Sequence, residues 1–174
     1  MRNSTEEEGR AGTLWIVPTP IGNLGDVTVR ALERLASCDL VAAEDTRRTR
    51  RLLDHHGIAA RSIALHRLNE EAAAGRVVEV LRSGGDVACV TDSGTPGVAD
   101  PGARLVARAR REGFRVIPLP GACAPVTALS ASGWEGAFSF EGWVERRPEA
   151  RQRQLAALAR LDRASVLFES PRRI

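Results

Sequence analysis

The side chains able to accept a proton gather at a few points of the sequence. Glu44 and Asp45 follow the apolar run "LVAA", and His66 and Glu70 stand in "HRLNE" with the non-titrating Asn69 between them. Asp100 lies in "VTDSGTPGVADPG" (90–102), which packs three glycines, two prolines and two aspartates into thirteen residues. A carboxylate or imidazole at such places could act as a general base toward a weak nucleophile such as a hydroxyl. Each has a plainer use as well. Asp45 and Asn69 are good helix N-caps, and Asp100 could cap the helix expected after Pro101. These alternatives stay open on the sequence, which singles out no general base. All 25 basic residues are arginine and there is no tyrosine, so lysine or tyrosine catalysis within this chain is excluded. Arg47, Arg48, Arg50 and Arg51 in "EDTRRTRR" carry forked guanidiniums suited to phosphate. Helical spacing cannot turn all four to one side, so one or two are expected toward a ligand.

Other chemistries find little support. Cys38, Cys89 and Cys123 form no CxxC pattern and are expected as reduced, largely buried small side chains. His55, His56 and His66 lack metal-ligand spacing, so no metal site is expected. Without lysine there can be no GxxxxGKS phosphate loop, and "PIGNLG" is not the GxGxxG of a dinucleotide fold.

Something must hold the candidates in place. Thr13–Pro18, Leu40–Glu44, Ser62–His66, Asp86–Thr91 and Phe114–Pro120 read as apolar strands. Between them, 27–37, 47–56, 70–83 and 102–112 read as helices, the second capped by Asp45 or Thr46. Asp26 is the expected cap of the first helix, with Val29, Leu32 and Leu35 facing inward. In the third, Val77, Val80 and Leu81 are expected inward. A turn and a short helix with Pro125 in its first turn follow. Strict alternation with near-continuous apolar strands predicts an α/β fold, a parallel-rich five-stranded sheet with flanking helices. Ligands then sit outside the C-terminal strand ends. Three Gly/Pro-rich stretches fall there: 18–25, 92–102 and 120–124. In the longest of them, Gly94 and Gly97 allow close backbone approach and Pro96 stiffens the loop.

From "FSFEGWV" the style changes to strand, Arg-rich helix, strand. The expected organisation is a polar, disordered lead-in over 1–12, an N-terminal domain over 13–136 and the start of a second α/β domain over 137–174. No apolar run approaches the roughly 18 residues of a membrane span. A cytoplasmic protein with no membrane partner is expected.

Seven stretches stand in order: "LWIVPTPIGNLGDVTVRALERL", "DLVAAEDTRRTRRLL", "HRLNE", "VTDSGTPGVADPG", "PLPGACAPVTALSASG", "FSFEGWV" and "FESPRRI". Together they resemble the ribosomal RNA small subunit methyltransferase I family, within the tetrapyrrole (corrin/porphyrin) methylase superfamily, from about Leu14 to Ile174. The resemblance implies transfer of a methyl group from S-adenosylmethionine to the ribose 2′-hydroxyl of a cytidine in the decoding region of 16S rRNA. It implies a methyl donor lying along Gly94, Thr95, Pro96, Val98 and Ala99, bordered by Cys123 and Ala124. Asp92 either faces the donor or holds the loop. It further implies the small ribosomal subunit as partner, a homodimer at full length, and family members that continue beyond "ESP". Arg47, Arg48, Arg50 and Arg51 become the RNA candidates, with Arg146, Arg147, Arg151 and Arg153 extending the track. The family usually has Ser at Ala99, Tyr at Phe168 and His at Arg172, which argues against catalysis by the last two positions. Two other readings compete: a methyltransferase acting on a tetrapyrrole carbon, and a non-catalytic nucleotide- or RNA-binding module.

Overall fold

A computed structural model describes residues 11–173. The chain divides into two compact units, 1–122 and 123–174. In the first, β1 (Thr13–Ile16), β2 (Leu40–Ala43), β3 (Ser62–Ala64), β4 (Val87–Val90) and β5 (Arg115–Pro118) form one sheet of order β3-β2-β4-β1-β5. Every pair is parallel. The linking helices are α1 (Val29–Ser37), α2 (Thr46–His55), α3 (Glu70–Arg82) and α4 (Ala103–Arg111). The α/β sheet expected from the alternation is present.

The strands are apolar at successive positions because both faces are covered. Leu14, Ile16, Leu40, Ala42, Val87 and Cys89 pack on one face with Ala73, Val77 and Leu81 of α3 and Leu105 and Ala109 of α4. Val41, Ala43, Ala88 and Val90 pack on the other with Ala31 and Leu35 of α1 and Leu52 and Leu53 of α2. The loops leaving the adjacent strands β1 and β4 therefore turn to opposite faces. In open α/β sheets such a switch point at the C-terminal edge is the usual ligand position.

Several local expectations are corrected. Thr28, not Asp26, caps α1, its side chain accepting from the Ala31 amide. Asp26 ends a short 3-10 turn capped by Asn23. The 3-10 turn takes up Asp26, and the helix begins only after Thr28. Val29 is consequently 72% exposed, and Ala31 takes its expected place in the core. Val80 is only partly buried, while Val78 is fully so. Gly12 belongs to the fold, not to the lead-in. It is buried, and its amide donates to Leu81 O at 2.8 Å. The rest of the expected lead-in, but for exposed Ala11, lies outside the described residues.

The second unit contains α5 (Ala124–Ser130), β6 (Phe138–Trp143), α6 (Pro148–Leu158) and β7 (Ala164–Phe168), with β6 and β7 parallel. Gly142 at φ 73° sits where their register shifts. Phe168 meets Phe140 and Trp143 edge-on at 4.9 and 5.4 Å. The helix after strand five thus groups with this unit, which begins earlier than the change of style at 137 suggested. Among the described residues no helix is long and apolar enough to cross a membrane.

Candidate active site

Three loops meet at the C-terminal edge of the five-stranded sheet, and hydrogen bonds lace them together. Thr19, after β1, pairs antiparallel with Gly94, after β4: each amide donates to the other's carbonyl at 3.0 Å. The Thr19 hydroxyl donates to Thr91 O at 3.0 Å. The Thr95 hydroxyl donates to Ala122 O, after β5, at 2.8 Å. Pro18 and Pro20 have no amide hydrogen, so Thr19 supplies the only backbone donor of its tripeptide. Gly94 is required by its φ of 85°. A Cβ there would meet Ile21 and Ala122 O only at ordinary contact distance, so the positive φ is what demands glycine. Gly97, at φ 82°, faces open space instead.

A second set of contacts joins the ends of β2 and β4. The Asp45 amide donates to Asp92 Oδ1 at 3.0 Å, and the Asp92 amide donates to Glu44 Oε2 at 3.2 Å. Each loop end thus supplies a carboxylate to the other's backbone. The Asp92 carboxylate thus ties the end of β4 to the start of α2.

The proton-acceptor candidates now separate. Asp45 caps α2, accepting from the Arg47 amide at 2.8 Å and pairing with the Arg47 guanidinium at 2.9 Å. That pairing holds its carboxyl well below the usual carboxylate range. Glu70 is buried and accepts from Gly102 N and Arg104 N, both at 3.1 Å. Asp100 does not cap α4 as expected. Gly102 is the N-cap, and Glu70 binds its amide from α3. Asp100 is half-buried. Burial first, then the neighbouring carboxylates Glu44 and Asp92, push its carboxyl up to about 6 against the opposing pull of Arg67. His66 is half-buried, and its amide donates to Asn69 Oδ1 at 2.8 Å.

The expected donor-site residues Asp92, Gly94, Thr95, Pro96, Val98 and Ala99 share the loop between β4 and α4, with Gly94 and Pro96 buried. Cys123 and Ala124 open the second unit, Cys123 as N-cap of α5. The sequence reading missed Thr19, whose flanking prolines were the available signal. It also missed Arg67, whose guanidinium donates to Ala99 O at 3.1 Å. The four arginines of α2 are all exposed. Arg47 pairs with Asp45, Arg50 with Asp54 at 2.8 Å, and Arg48 with Asp92 at 3.5 Å, so Arg48 reaches the ligand edge. Arg51 has no ion pair among the described residues. A cavity of about 540 Å³, lined by Leu53, Gly57, Ile58 and Arg61 among others, lies at the opposite end of the sheet, away from these loops.

The family model for Tetrapyrrole (Corrin/Porphyrin) Methylases matches residues 13–174. The chain belongs to this family. The methyl donor of the family is S-adenosylmethionine. Among curated relatives, the "Ribosomal RNA small subunit methyltransferase I" of Vibrio cholerae is 50% identical over 173 residues, 99% of this chain and 60% of the relative. The protein of the same name from Escherichia coli O157:H7 is 46% identical over 175 residues, 100% of this chain and 61% of the relative. This tetrapyrrole methylase chain thus spans about 60% of the length of these relatives. Two solved structures share the fold. Diphthine synthase aligns with a TM-score of 0.69 at 19% identity, over 91% of this chain and 64% of that one. The uroporphyrin-III-C-methyltransferase of Thermus thermophilus aligns with a TM-score of 0.58 at 23% identity, over 77% and 60%.

Proposed function

We propose that this chain carries the donor-binding part of a methyltransferase that methylates the ribose 2′-hydroxyl of a cytidine in the decoding region of 16S rRNA. The observation that carries the reading is the identity of about half the residues, over almost the whole chain, to relatives named as rRNA small subunit methyltransferases. The laced loops supply its physical basis.

The residues fit S-adenosylmethionine. Gly97 leaves open space where a Cβ would stand, so the backbone of the loop can come close to a ligand. Ile21 and Val98, both half-buried, offer apolar surface for a flat ring. Glu44, Asp92 and Asp100 form a negative rim, which favours a sulfonium cation over an anionic nucleotide. Gly94, Thr95, Pro96, Val98 and Ala99 would hold the donor, with Asp92 fixing the loop behind them. Cys123 and Ala124 would border it. When bound, the donor supplies an electrophilic methyl group.

The remaining work falls to this chain's side chains. Asp100 is the proton acceptor in this reading, because its affinity for a proton is raised and it caps no helix. A group with a value near neutrality is suited to take a hydroxyl proton as the oxygen attacks. Arg48 and Arg51 contact the RNA backbone. Glu44, Asp45 and Glu70 serve the structure. The working protein is a homodimer in the cytoplasm, with the small ribosomal subunit as its substrate.

The test is a titration of the chain with S-adenosylhomocysteine, ATP and NAD, with Gly94→Val alongside. Binding of S-adenosylhomocysteine alone, lost in the variant, supports the donor site. Preference for ATP or NAD refutes it. For the substrate, RNA treated with the protein and the methyl donor is hydrolysed in alkali. A 2′-O-methylated ribose cannot attack its phosphodiester, so one resistant bond in 16S rRNA is expected. Methyl incorporation without a resistant bond would place the methyl group on a base.

A further inference from the structure

The loop between β4 and α4 is held at its far end by a segment of the chain that caps nothing of its own. The N-cap of α4 is Gly102, which has no side chain to accept from the first amides of the helix. Serine or aspartate would be the ordinary solution there. Either would be strained, because Gly102 stands at φ 121°, a conformation that L side chains rarely adopt. The missing acceptor comes from α3. Glu70 Oε1 accepts from Gly102 N and Arg104 N, both at 3.1 Å and from more than thirty positions away. Glu70 is 6% exposed. A buried carboxylate is costly unless hydrogen-bonded, and here two amides and the positive end of a helix compensate it.

A second contact falls three residues earlier on both sides. The Arg67 guanidinium donates to Ala99 O at 3.1 Å. Ala99 has φ 65° and is the one non-glycine residue with positive φ among the described residues. Such conformations persist only where surrounding contacts over-determine them. The segment making both contacts is itself fixed. Asn69 Oδ1 accepts from His66 N at 2.8 Å, and Asn69 Nδ2 donates to Ala64 O at 3.0 Å. Asn69 therefore braces its own turn, and its side chain makes no cap bond to α3.

We infer that Glu70 is a positioning residue: with Arg67, it holds the Val98–Asp100 backbone in the strained form that receives the methyl donor. This rests on the donor site proposed above. Glu70 touches neither donor nor substrate and acts through the Gly102 and Arg104 amides. The near end of the loop has its own anchors in Thr19, Glu44 and Asp45, so loss of Glu70 frees one end only.

The experiment combines amide hydrogen exchange without ligand and titration with S-adenosylhomocysteine, on wild type, Glu70→Gln, Glu70→Ala and Arg67→Ala. Glu70→Gln keeps an oxygen acceptor and is expected to stay close to wild type in both readouts. Glu70→Ala is expected to speed exchange roughly tenfold at Gly102 and Arg104 and across Val98–Asp100, with affinity falling about tenfold, the scale of lost bonds to a charged acceptor. Strands β1 and β4 should exchange as before. Arg67→Ala leaves the core intact and should speed Ala99 and Asp100 and weaken binding in the same direction. It decides the matter if Glu70→Ala does not fold. Faster exchange confined to Gly102 and Arg104, with unchanged affinity, would make Glu70 a helix cap only and overturn the proposal. Failure of the wild-type chain to bind would overturn the donor reading and the functional half of this one. The exchange pattern, read without ligand, would still uphold or overturn the positioning of the loop.

Discussion

Replacing Asp100 by asparagine probes the one carboxyl of the ligand edge whose proton affinity is raised. The carboxyl titrates at about 6 in the folded chain against an ordinary value of 3.8. Burial and the neighbouring Glu44 and Asp92 are responsible, in that order. A folded-state value above the unfolded one means that the folded chain binds the extra proton between these values, so stability falls as pH rises through that window. The gap of about 2 pH units corresponds to roughly 3 kcal/mol at full burial. Asp100 is half-exposed, and solvent screening brings this to roughly 1 kcal/mol. Asparagine mimics the protonated form. Asp100→Asn should therefore equal wild type near pH 4 and exceed it by roughly 1 kcal/mol at pH 7.5, about 2–4 °C in Tm for a chain of this size. Urea or thermal unfolding at both pH values measures it. An equal gain at both, or no gain at pH 7.5, would refute the electrostatic account. Methylation by a full-length protein carrying the change should fall by about 10²-fold or more if Asp100 takes the proton.

Thr19→Val removes the hydroxyl that donates to Thr91 O and should cost about 1–3 kcal/mol, with Thr19→Ser recovering most of it, in urea unfolding. Arg51→Ala should weaken RNA binding and lower the slope of log affinity against log salt by about 1. Arg50→Ala, whose partner Asp54 already neutralises it, should change both less. Burial pushes the Cys89 thiol up to about 12, so a thiol reagent at pH 8 should spare Cys89 until the chain is unfolded, and early labelling there would contradict its place in the core.

The strands were legible because a parallel sheet covered on both faces makes them continuously apolar, as at Leu40–Ala43 and Val87–Val90. The loops were legible through Gly94, Gly97 and Gly102, which their positive φ values require. What stayed hidden depends on distance along the chain. Asp92 was ambiguous because its partner amide belongs to Asp45, and Asp100 passed for a cap because nothing local reveals that Glu70 supplies one. Composition signals a capping residue but not which helix it caps. At Asp26 the failure was local instead: Thr28, two positions on, is an equally good cap by residue type, and the 3-10 turn that ends at Asp26 leaves the role to it.

The position of β1 has a consequence for synthesis. It lies between β4 and β5, pairing Leu14 with Val87 and Val116. During synthesis β1 therefore has no sheet neighbour until more than seventy further residues have followed, and only one until β5 emerges. Pairings so distant in sequence slow folding and leave strand edges exposed in the meantime. The early segments β2, α2 and β3 are adjacent in both sequence and sheet, so they can associate while β1 waits. A ribosome paused before residue 87 would carry a nascent chain in which Leu14 and Ile16 of β1 are still unpaired, an opening for chaperones during translation.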